Sequence, residues 1–198
     1  MNVLIRNTAV LTVEGTSSIR DGVNIGIERD RISFVGTVPE GFAADKVIDG
    51  TGMLVMPGLV NAHTHTAMSL LRNYADDIPF EVWLKEKMWP LEARLTEEHV
   101  YWGSMLSIAE MLRSGVTCFA DMYFFVDQTA RAAEESGIRA SLARGLMEDE
   151  FSILKLEETR RLAAEWNKRG DGRISVMAGP HAPYTCGDEY LSSIIELS

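Results

Sequence analysis

Residues 56–65 read MPGLVNAHTH, an apolar run that ends in two histidines one residue apart. From Met53 to Leu59 the chain is almost continuously apolar, which is typical of a strand covered on both faces. Residues i and i+2 of an extended chain point to the same side, so His63 and His65 can reach one ion from the end of this strand. The alternative is a pair of surface histidines near a turn, because two ligands alone do not define a metal site.

A repeating pattern follows this strand. Short apolar runs alternate with helical patterns, and strands are predicted near residues 54–60, 116–121, 140–145 and 174–179. Strands that alternate with helices are typical of a parallel sheet built from right-handed crossovers. Four such units are half of the eight in a (β/α)8 barrel. The sequence therefore predicts an α/β fold, the first half of a TIM barrel, with a complete four-stranded open sheet as the alternative.

Helix signals separate the predicted strands. Thr96 is a suitable N-cap and Gly115 a suitable stop, a second helix ends at Gly137, and a third is predicted over residues 153–168. Asp188 is expected to begin a fourth helix. The pattern is still helical at the end of the chain, without a cap or stop signal. We therefore expect a piece of a larger fold rather than a complete open sheet.

The first fifty residues have a different pattern. Segments rich in β-branched residues alternate with tight-turn signals, and strands are predicted over Val3–Ile5, Ala9–Val13, Val23–Glu28 and Ile32–Val35. This pattern indicates a small antiparallel β unit before the α/β part. The predicted division is therefore a β-rich part, residues 1–52, and an α/β part, residues 53–198.

Composition excludes several classes of protein. The chain has 198 residues and a formal net charge of −10, which argues against a nucleic-acid partner because such binding needs clustered positive charge. No apolar run approaches the roughly 20 residues that span a membrane, and the N-terminal residues lack the pattern of a signal peptide. The two cysteines, Cys118 and Cys186, make no disulfide framework. These features predict a soluble cytoplasmic protein.

Three other residues are candidates for a site because of their positions. His181 follows the fourth predicted strand and Arg144 lies at the end of the third, and polar residues at the carboxyl ends of barrel strands face the same mouth. Glu92 lies in an apolar, aromatic segment, where a carboxylate needs a partner. The alternatives are a loop histidine at His181, a structural ion pair at Arg144 and a salt bridge at Glu92.

Several residues and motifs are given less weight. His99 lies in the first turn of a capped helix, and Cys186 has no CxxC partner, so neither is expected to bind a metal. Asp121 ends the second predicted strand, where it is expected to support a histidine from behind. The sequence contains no GxGxxG, Walker A, GxSxG or HExxH motif, so dehydrogenase, NTPase, serine hydrolase and zincin functions have no support.

The segment MPGLVNAHTH resembles the PGLVNxHxH signature of the amidohydrolase superfamily. Four further segments resemble the branch that contains 5′-methylthioadenosine/S-adenosylhomocysteine deaminases and chlorohydrolase-like aminohydrolases: residues 67–72, 83–84, 89–92 and 179–186. The resemblance covers essentially the whole chain. It implies that residues 1–52 are the β-rich part of a small β-sandwich domain and that residues 53–198 are the first four β/α units of a metal-dependent hydrolase barrel.

The resemblance also implies roles for individual residues. His63 and His65 would be the first two ligands of one divalent metal, zinc in the first place and iron in some members. The metal would activate water for attack on purine C6, with release of ammonia. Glu92 would accept the ribose hydroxyls, Arg144 would meet the homocysteine carboxylate, and His181 would bond to the heterocycle or the sugar. A small-molecule purine nucleoside is therefore the expected partner, and self-association into a homo-oligomer is left open.

The chain departs from the family in length. The third ligand histidine, the glutamate of the HxxE motif, a further histidine and a final aspartate are expected beyond Ser198. No catalytic residue is therefore expected within this chain, and we expect it to be inactive alone. A guanine or cytosine deaminase and an s-triazine chlorohydrolase stay open as alternatives. So do a non-catalytic truncated paralogue and a small α/β binding domain.

Overall fold

A computed structural model describes residues 1–13 and 18–197 of the chain. It divides into two compact units, residues 1–57 and residues 58–198. The described residues of the first unit form strands and no helix, whereas the second unit combines strands with helices. No helix among the described residues is long and apolar enough to cross a membrane.

The first unit is one mixed sheet of five strands. Its strands are β1 (Asn2–Thr12), β2 (Ser18–Glu28), β3 (Arg31–Gly36), β4 (Lys46–Asp49) and β5 (Leu54–Val55). β2 pairs antiparallel with both β1 and β3, and β4 and β5 pair parallel with β1. The side chains of Val10, Val23 and Ile25 form its small buried core.

The prediction of two separate strands at the N-terminus, Val3–Ile5 and Ala9–Val13, was wrong. The structure has one long strand, β1, with a shift in its pairing to β2 near Asn7. Asn7 has φ of 54°, a left-handed conformation that asparagine tolerates better than most residues. Its main-chain N–H donates to Asn24 Oδ1 at 3.2 Å. The bulge interrupts the alternation of side chains, which is why the pattern resembled two strands.

The second unit is a parallel sheet with helices on one face. Its strands are β6 (Leu59–Thr64), β7 (Val116–Tyr123), β8 (Arg139–Leu146), β9 (Ile174–Val176) and β10 (Gly179–Pro180). Its longer helices are α1 (Glu97–Arg113), α2 (Val126–Ser136), α3 (Ser152–Trp166) and α4 (Asp188–Leu197). β6 pairs with β7, β7 with β8, and β8 with both β9 and β10. Sequential strands are therefore neighbours, as in successive β/α units of a barrel.

The order of strands and helices agrees with the prediction, and the caps explain their ends. The Thr96 hydroxyl accepts from the His99 main-chain N–H at the start of α1. Gly137 ends α2 with φ of 81°, a conformation that favours glycine. The core of this unit lies between the sheet and the helices and includes Phe119, Leu142 and other fully buried side chains. The fourth predicted strand is divided into β9 and β10.

The strand that carries the histidines differs from its prediction. Leu54 and Val55 belong to the first unit, where they pair with β1, and β6 begins only at Leu59. The expectation that this strand is covered on both faces was also wrong, because Leu59 and Val60 are 48% and 65% exposed. β6 is the last strand in the order of its sheet, and among the described residues it pairs only with β7. Its apolar residues are therefore not enclosed.

Short helical segments fill the connection from β6 to α1. A 3-10 helix covers Thr66–Leu71, and a continuous helical stretch follows over Phe80–Val82, Trp83–Met88 and Trp89–Glu92, with a π-helical middle part. The 3-10 helix packs closely on α1 at Gly103, where a Cβ atom would lie 2.6 Å from the Ala67 carbonyl oxygen. Glycine at this position therefore permits the close approach of the two elements.

Asp127 joins two helices of the second unit. Its carboxylate, at the start of α2, accepts hydrogen bonds from the Arg161 guanidinium and from Trp166 Nε1 on α3. The hydrogen bonds from Arg161 hold the pKa of Asp127 below its ordinary value of 3.8. Because the folded-state pKa is lowered, this stabilisation is present above the unfolded pKa and is lost as pH falls through the folded-state pKa.

Replacement of this carboxylate tests the contact. We expect Asp127→Asn to lower the free energy of unfolding at neutral pH by about 1 kcal/mol, a value reduced for partial solvent exposure. It should also weaken the loss of stability in acid, measured by thermal unfolding over a pH series. Glu165→Gln is the matched control, because Glu165 accepts from the same Arg161 at a more exposed position. Equal effects of the two substitutions would contradict this assignment.

Candidate metal and substrate site

The carboxyl ends of the parallel strands lie at one edge of the second unit. In the strand register Thr64 is opposite Asp121, and Tyr123 is opposite Arg144. β10 pairs with the end of β8, so His181 follows directly at the same edge. Because the strands are parallel, residues from distant parts of the sequence are collected there.

His63 and His65 are close to each other at this edge. Their ring centroids are 5.2 Å apart, with an angle of 80° between the planes. His65 Nδ1 lies 2.7 Å from the carbonyl oxygen of Met122 on β7. A carbonyl oxygen only accepts, so Nδ1 is the donor in this contact, and in a neutral ring Nε2 then keeps its lone pair. This is the arrangement that metal-binding histidines commonly have.

Asp121 holds the main chain on both sides of His65. Its Oδ1 atom accepts from the Thr66 main-chain N–H at 2.6 Å and lies 2.8 Å from the Thr64 hydroxyl. Burial raises the pKa of Asp121, and these hydrogen bonds act in the opposite direction. Asp121 therefore bonds to the residues on either side of His65, and the Met122 carbonyl makes the contact with the His65 ring.

Glu92 is paired with a residue that the sequence analysis missed. The Tyr123 hydroxyl donates to Glu92 Oε1 at 2.7 Å. Burial, followed by the nearby Glu92 carboxylate, raises the pKa of Tyr123 above its ordinary value. The Tyr123 ring centroid is 6.3 Å from that of His65, so this pair adjoins the histidines. Glu92 forms no ion pair within the described ranges, and the expected salt bridge is replaced by a phenol.

The position of Tyr123 was available from the sequence. It lies two residues after Asp121, the end of the predicted strand, and the observed β7 extends to it. Residues i and i+2 of a strand point to the same face. Its partner could not be foreseen, because Glu92 comes from a helical segment before α1. The contact depends on the packing of that segment over the strand end.

Arg144 and His181 each bond near their own strand. Arg144 Nε donates to Glu158 on α3 at 2.8 Å, and its Nη1 donates to the Gly145 carbonyl at 3.0 Å. The structure therefore contains the ion pair that was the alternative for Arg144. His181 is exposed, and its Nδ1 lies 3.1 Å from the Thr185 hydroxyl. The structure thus joins only His63, His65 and Glu92, through Tyr123, into one contiguous group.

His99 and Cys186, which were not expected to bind a metal, make other contacts. His99 completes the capping box of α1, since its Nδ1 accepts from the Thr96 main-chain N–H at 3.1 Å. Cys186 is buried, and its Sγ donates to the Leu146 carbonyl at 3.2 Å. Within residues 1–13 and 18–197, no three His, Cys, Asp or Glu side chains lie close enough together to hold a metal. Among the described residues, His63 and His65 therefore have no third candidate ligand beside them.

A cavity of about 560 Å³ borders His65 on another side. It lies between β6, the 3-10 helix and α1, and its wall includes Asn61 and Ser107. Arg72 and Glu110 are also in the wall and form an ion pair with each other. His65 thus borders this cavity as well as the strand end.

A comparison with protein families identifies the α/β part of the chain. The model of the amidohydrolase family matches residues 54–198. The chain belongs to the amidohydrolase family. This amidohydrolase chain is 50% identical to the 5-methylthioadenosine/S-adenosylhomocysteine deaminase of Thermoanaerobacter pseudethanolicus, a match that covers 100% of this chain and 47% of the relative. It is 49% identical to the 5'-deoxyadenosine deaminase of Methanosarcina mazei, over 98% of this chain and 46% of the relative.

Solved structures confirm the fold class of the amidohydrolase chain. An adenosine deaminase from Xanthomonas campestris with bound zinc has a TM-score of 0.88 and 33% identity, covering 98% of this chain and 46% of that one. A guanine deaminase from C. acetobutylicum has a TM-score of 0.81 at 16% identity, covering 100% of this chain and 50% of that one, a likeness of fold alone. The chain spans about half the length of the curated relatives it matches.

The buried tyrosine–glutamate contact is open to a direct test. We expect Tyr123→Phe to lower the free energy of unfolding by about 1 kcal/mol, because it leaves a half-buried carboxylate without its donor. Urea unfolding measures the change. Tyr101→Phe is the matched control, since the Tyr101 hydroxyl donates to Glu135 at an exposed position. Its effect should be smaller, and an equal loss in both variants would show that burial at the site is unimportant.

Proposed function

We propose that this chain supplies the N-terminal half of a metal-dependent aminohydrolase. The proposed reaction is hydrolytic deamination of the adenine ring of S-adenosylhomocysteine, 5′-methylthioadenosine or a related adenosine, with release of ammonia. One observation carries the proposal: His63 and His65 lie together at a strand end, and the Met122 carbonyl leaves Nε2 of His65 free. The names of relatives about half identical to the chain support the choice of substrate.

The donor set fits a divalent transition metal. Two neutral imidazoles suit zinc or iron, and a catalytic zinc site commonly has three protein ligands and one open position. We assign His63 and His65 as two of these ligands and expect the others from a segment beyond this chain. A bound divalent metal would supply an activated water molecule for the hydrolysis. Zinc is the first choice, because an adenosine deaminase of similar fold was crystallised with it.

We assign Glu92 to the ribose hydroxyls of the substrate. The Tyr123 hydroxyl fixes Oε1 of this carboxylate, and Oε2 has no hydrogen-bond partner among the described residues. A carboxylate oriented in this way can accept from a hydroxyl pair, and an ionised acceptor makes a stronger hydrogen bond than a neutral one. The Tyr123 phenol stays protonated, because its pKa is raised, and so remains a donor.

Arg144 and His181 are assigned to the two ends of the substrate. Glu158 holds Nε of Arg144, whereas Nη2 has no partner within residues 1–13 and 18–197 and can meet a carboxylate. His181 Nδ1 is occupied by Thr185, which leaves Nε2 for the heterocycle or the sugar.

We further propose that residues 1–52 belong to a small β-sandwich domain and that the protein is cytoplasmic, with both cysteines free.

A chimera tests the function. The chain alone should release no ammonia from S-adenosylhomocysteine. The chain joined to the part of the Thermoanaerobacter relative that it does not cover should bind one zinc per molecule and release ammonia. His63→Ala in the chimera should abolish both, whereas His99→Ala should retain zinc because His99 only caps α1. Turnover by the chain alone would contradict the proposal, and zinc binding with turnover of only guanine or triazines would move the assignment to another aminohydrolase.

The role of Arg144 predicts a selective effect on substrates. In the chimera, Arg144→Ala should raise KM for S-adenosylhomocysteine roughly tenfold or more, the value of one charged hydrogen bond. KM for 5′-methylthioadenosine should change little, because this substrate lacks the carboxylate. Arg139→Ala is the control at the opposite end of β8. Similar losses with both substrates would mean that Arg144 serves only its ion pair with Glu158.

A further inference from the structure

A connected set of buried polar side chains lies behind His65 and takes no part in the proposed chemistry. Asp121, Thr66, Ser104 and Thr129 are each no more than 3% exposed. They come from the end of β7, the 3-10 helix, α1 and α2. Buried polar groups cost free energy unless they are hydrogen-bonded, so a set of four in one place needs a reason.

The three hydroxyl groups of this set are hydrogen-bonded in series. Thr66 Oγ1 lies 3.0 Å from Ser104 Oγ, which lies 3.1 Å from Thr129 Oγ1. Ser107 Oγ donates to the Thr66 carbonyl at 2.9 Å. The main chain directly after His65 is thereby tied to α1, and through Ser104 to α2. Thr66 is held at its N–H, its carbonyl and its side chain.

Asp121, on β7, makes further hydrogen bonds to the main chain and side chain next to His65. One oxygen of its carboxylate receives the Thr66 N–H and contacts the Thr64 hydroxyl, so the residues before and after His65 share a single anchor. The next residue, Met122, presents the carbonyl that receives His65 Nδ1–H. Any rotation of the main chain at His65 would break hydrogen bonds of Asp121 and move the ring away from Met122.

We propose that Asp121 is a positioning residue that holds His65 on the Met122 carbonyl, with the proton on Nδ1 and Nε2 free, before any metal binds. The ligand is thus preorganised by the protein, and the metal need not order it. Asp121 itself touches neither the histidine ring nor the metal. The inference rests on the proposed function in treating His65 as a ligand, but its central claim concerns the metal-free chain.

The tautomer of His65 is the decisive measurement. ¹⁵N NMR of the ring nitrogens in the metal-free chain, at a pH where the imidazole is neutral, should show Nδ1 protonated. Asp121→Ala should give a mixture of the two tautomers. Asp121→Asn should retain much of the original population, because its Oδ1 can still accept from the Thr66 N–H. Thr64→Val removes one donor to the anchor and provides a second variant if Asp121→Ala fails to fold.

Thr129→Val is the matched control, because Thr129 is also buried and lies at the far end of the series of hydrogen-bonded hydroxyl groups. It should lower the melting temperature without changing the His65 tautomer. A tautomer that is unchanged in both Asp121→Ala and Thr64→Val, with melting temperatures lowered as in the control, would overturn the proposal and leave Asp121 a purely structural role.

Zinc affinity, measured by chelator competition in the chimera, separates this inference from the proposed function. Asp121→Ala should weaken zinc binding about 10–100-fold, the usual effect of removing support behind a ligand. Thr129→Val should not change it. If the unsubstituted chimera binds no zinc while the tautomer still responds to Asp121, the function fails and the positioning role stands. If zinc binds equally well with and without Asp121, the positioning role is refuted.

Discussion

The pairing of β6 with β7 is the contact on which the candidate site depends. Its register brings Thr64 opposite Asp121. Hydrogen bonds at this point involve the Thr64 hydroxyl, the ring of His65 and the main-chain N–H of Thr66. In this register His65 Nδ1 lies 2.7 Å from the Met122 carbonyl oxygen on β7. A parallel sheet supplies this arrangement because the ends of its strands lie side by side.

At the carboxyl ends of these strands, buried or half-buried polar side chains are oriented by their hydrogen-bond partners. Tyr123 is nearly buried, so its hydroxyl needs a partner and finds the Glu92 carboxylate, which orients that group next to the histidines. Arg144 Nε donates to Glu158 and Nη1 to the Gly145 carbonyl, and Nη2 has no hydrogen-bond partner in the part of the chain that the structure describes. In both cases a neighbouring side chain fixes one end of the functional group, and in the function proposed above the other end meets the ligand. Such partial satisfaction is typical of binding sites built on a rigid sheet.

Family membership and site geometry support each other at different levels. The match to the amidohydrolase family and the TM-score of 0.88 to a zinc-containing adenosine deaminase establish the fold and the family. The hydrogen bond from His65 Nδ1 to the Met122 carbonyl is independent of these comparisons and supports the proposal that the histidine pair binds a metal. The chain spans about half the length of these relatives, so the function proposed above is that of a longer protein.

The sequence by itself determined the alternation of strands and helices, the cap at Thr96, the stop at Gly137 and the pair His63 and His65. These features depend on local periodicity, turn residues and the spacing of neighbours, which are written within a few residues. Only the tertiary structure decided that Tyr123 orients Glu92, that Glu158 pairs with Arg144, and that Asp121 acts on both sides of His65 rather than on its ring. These contacts join residues 14 to 57 positions apart, and their geometry exists only after the strands have paired.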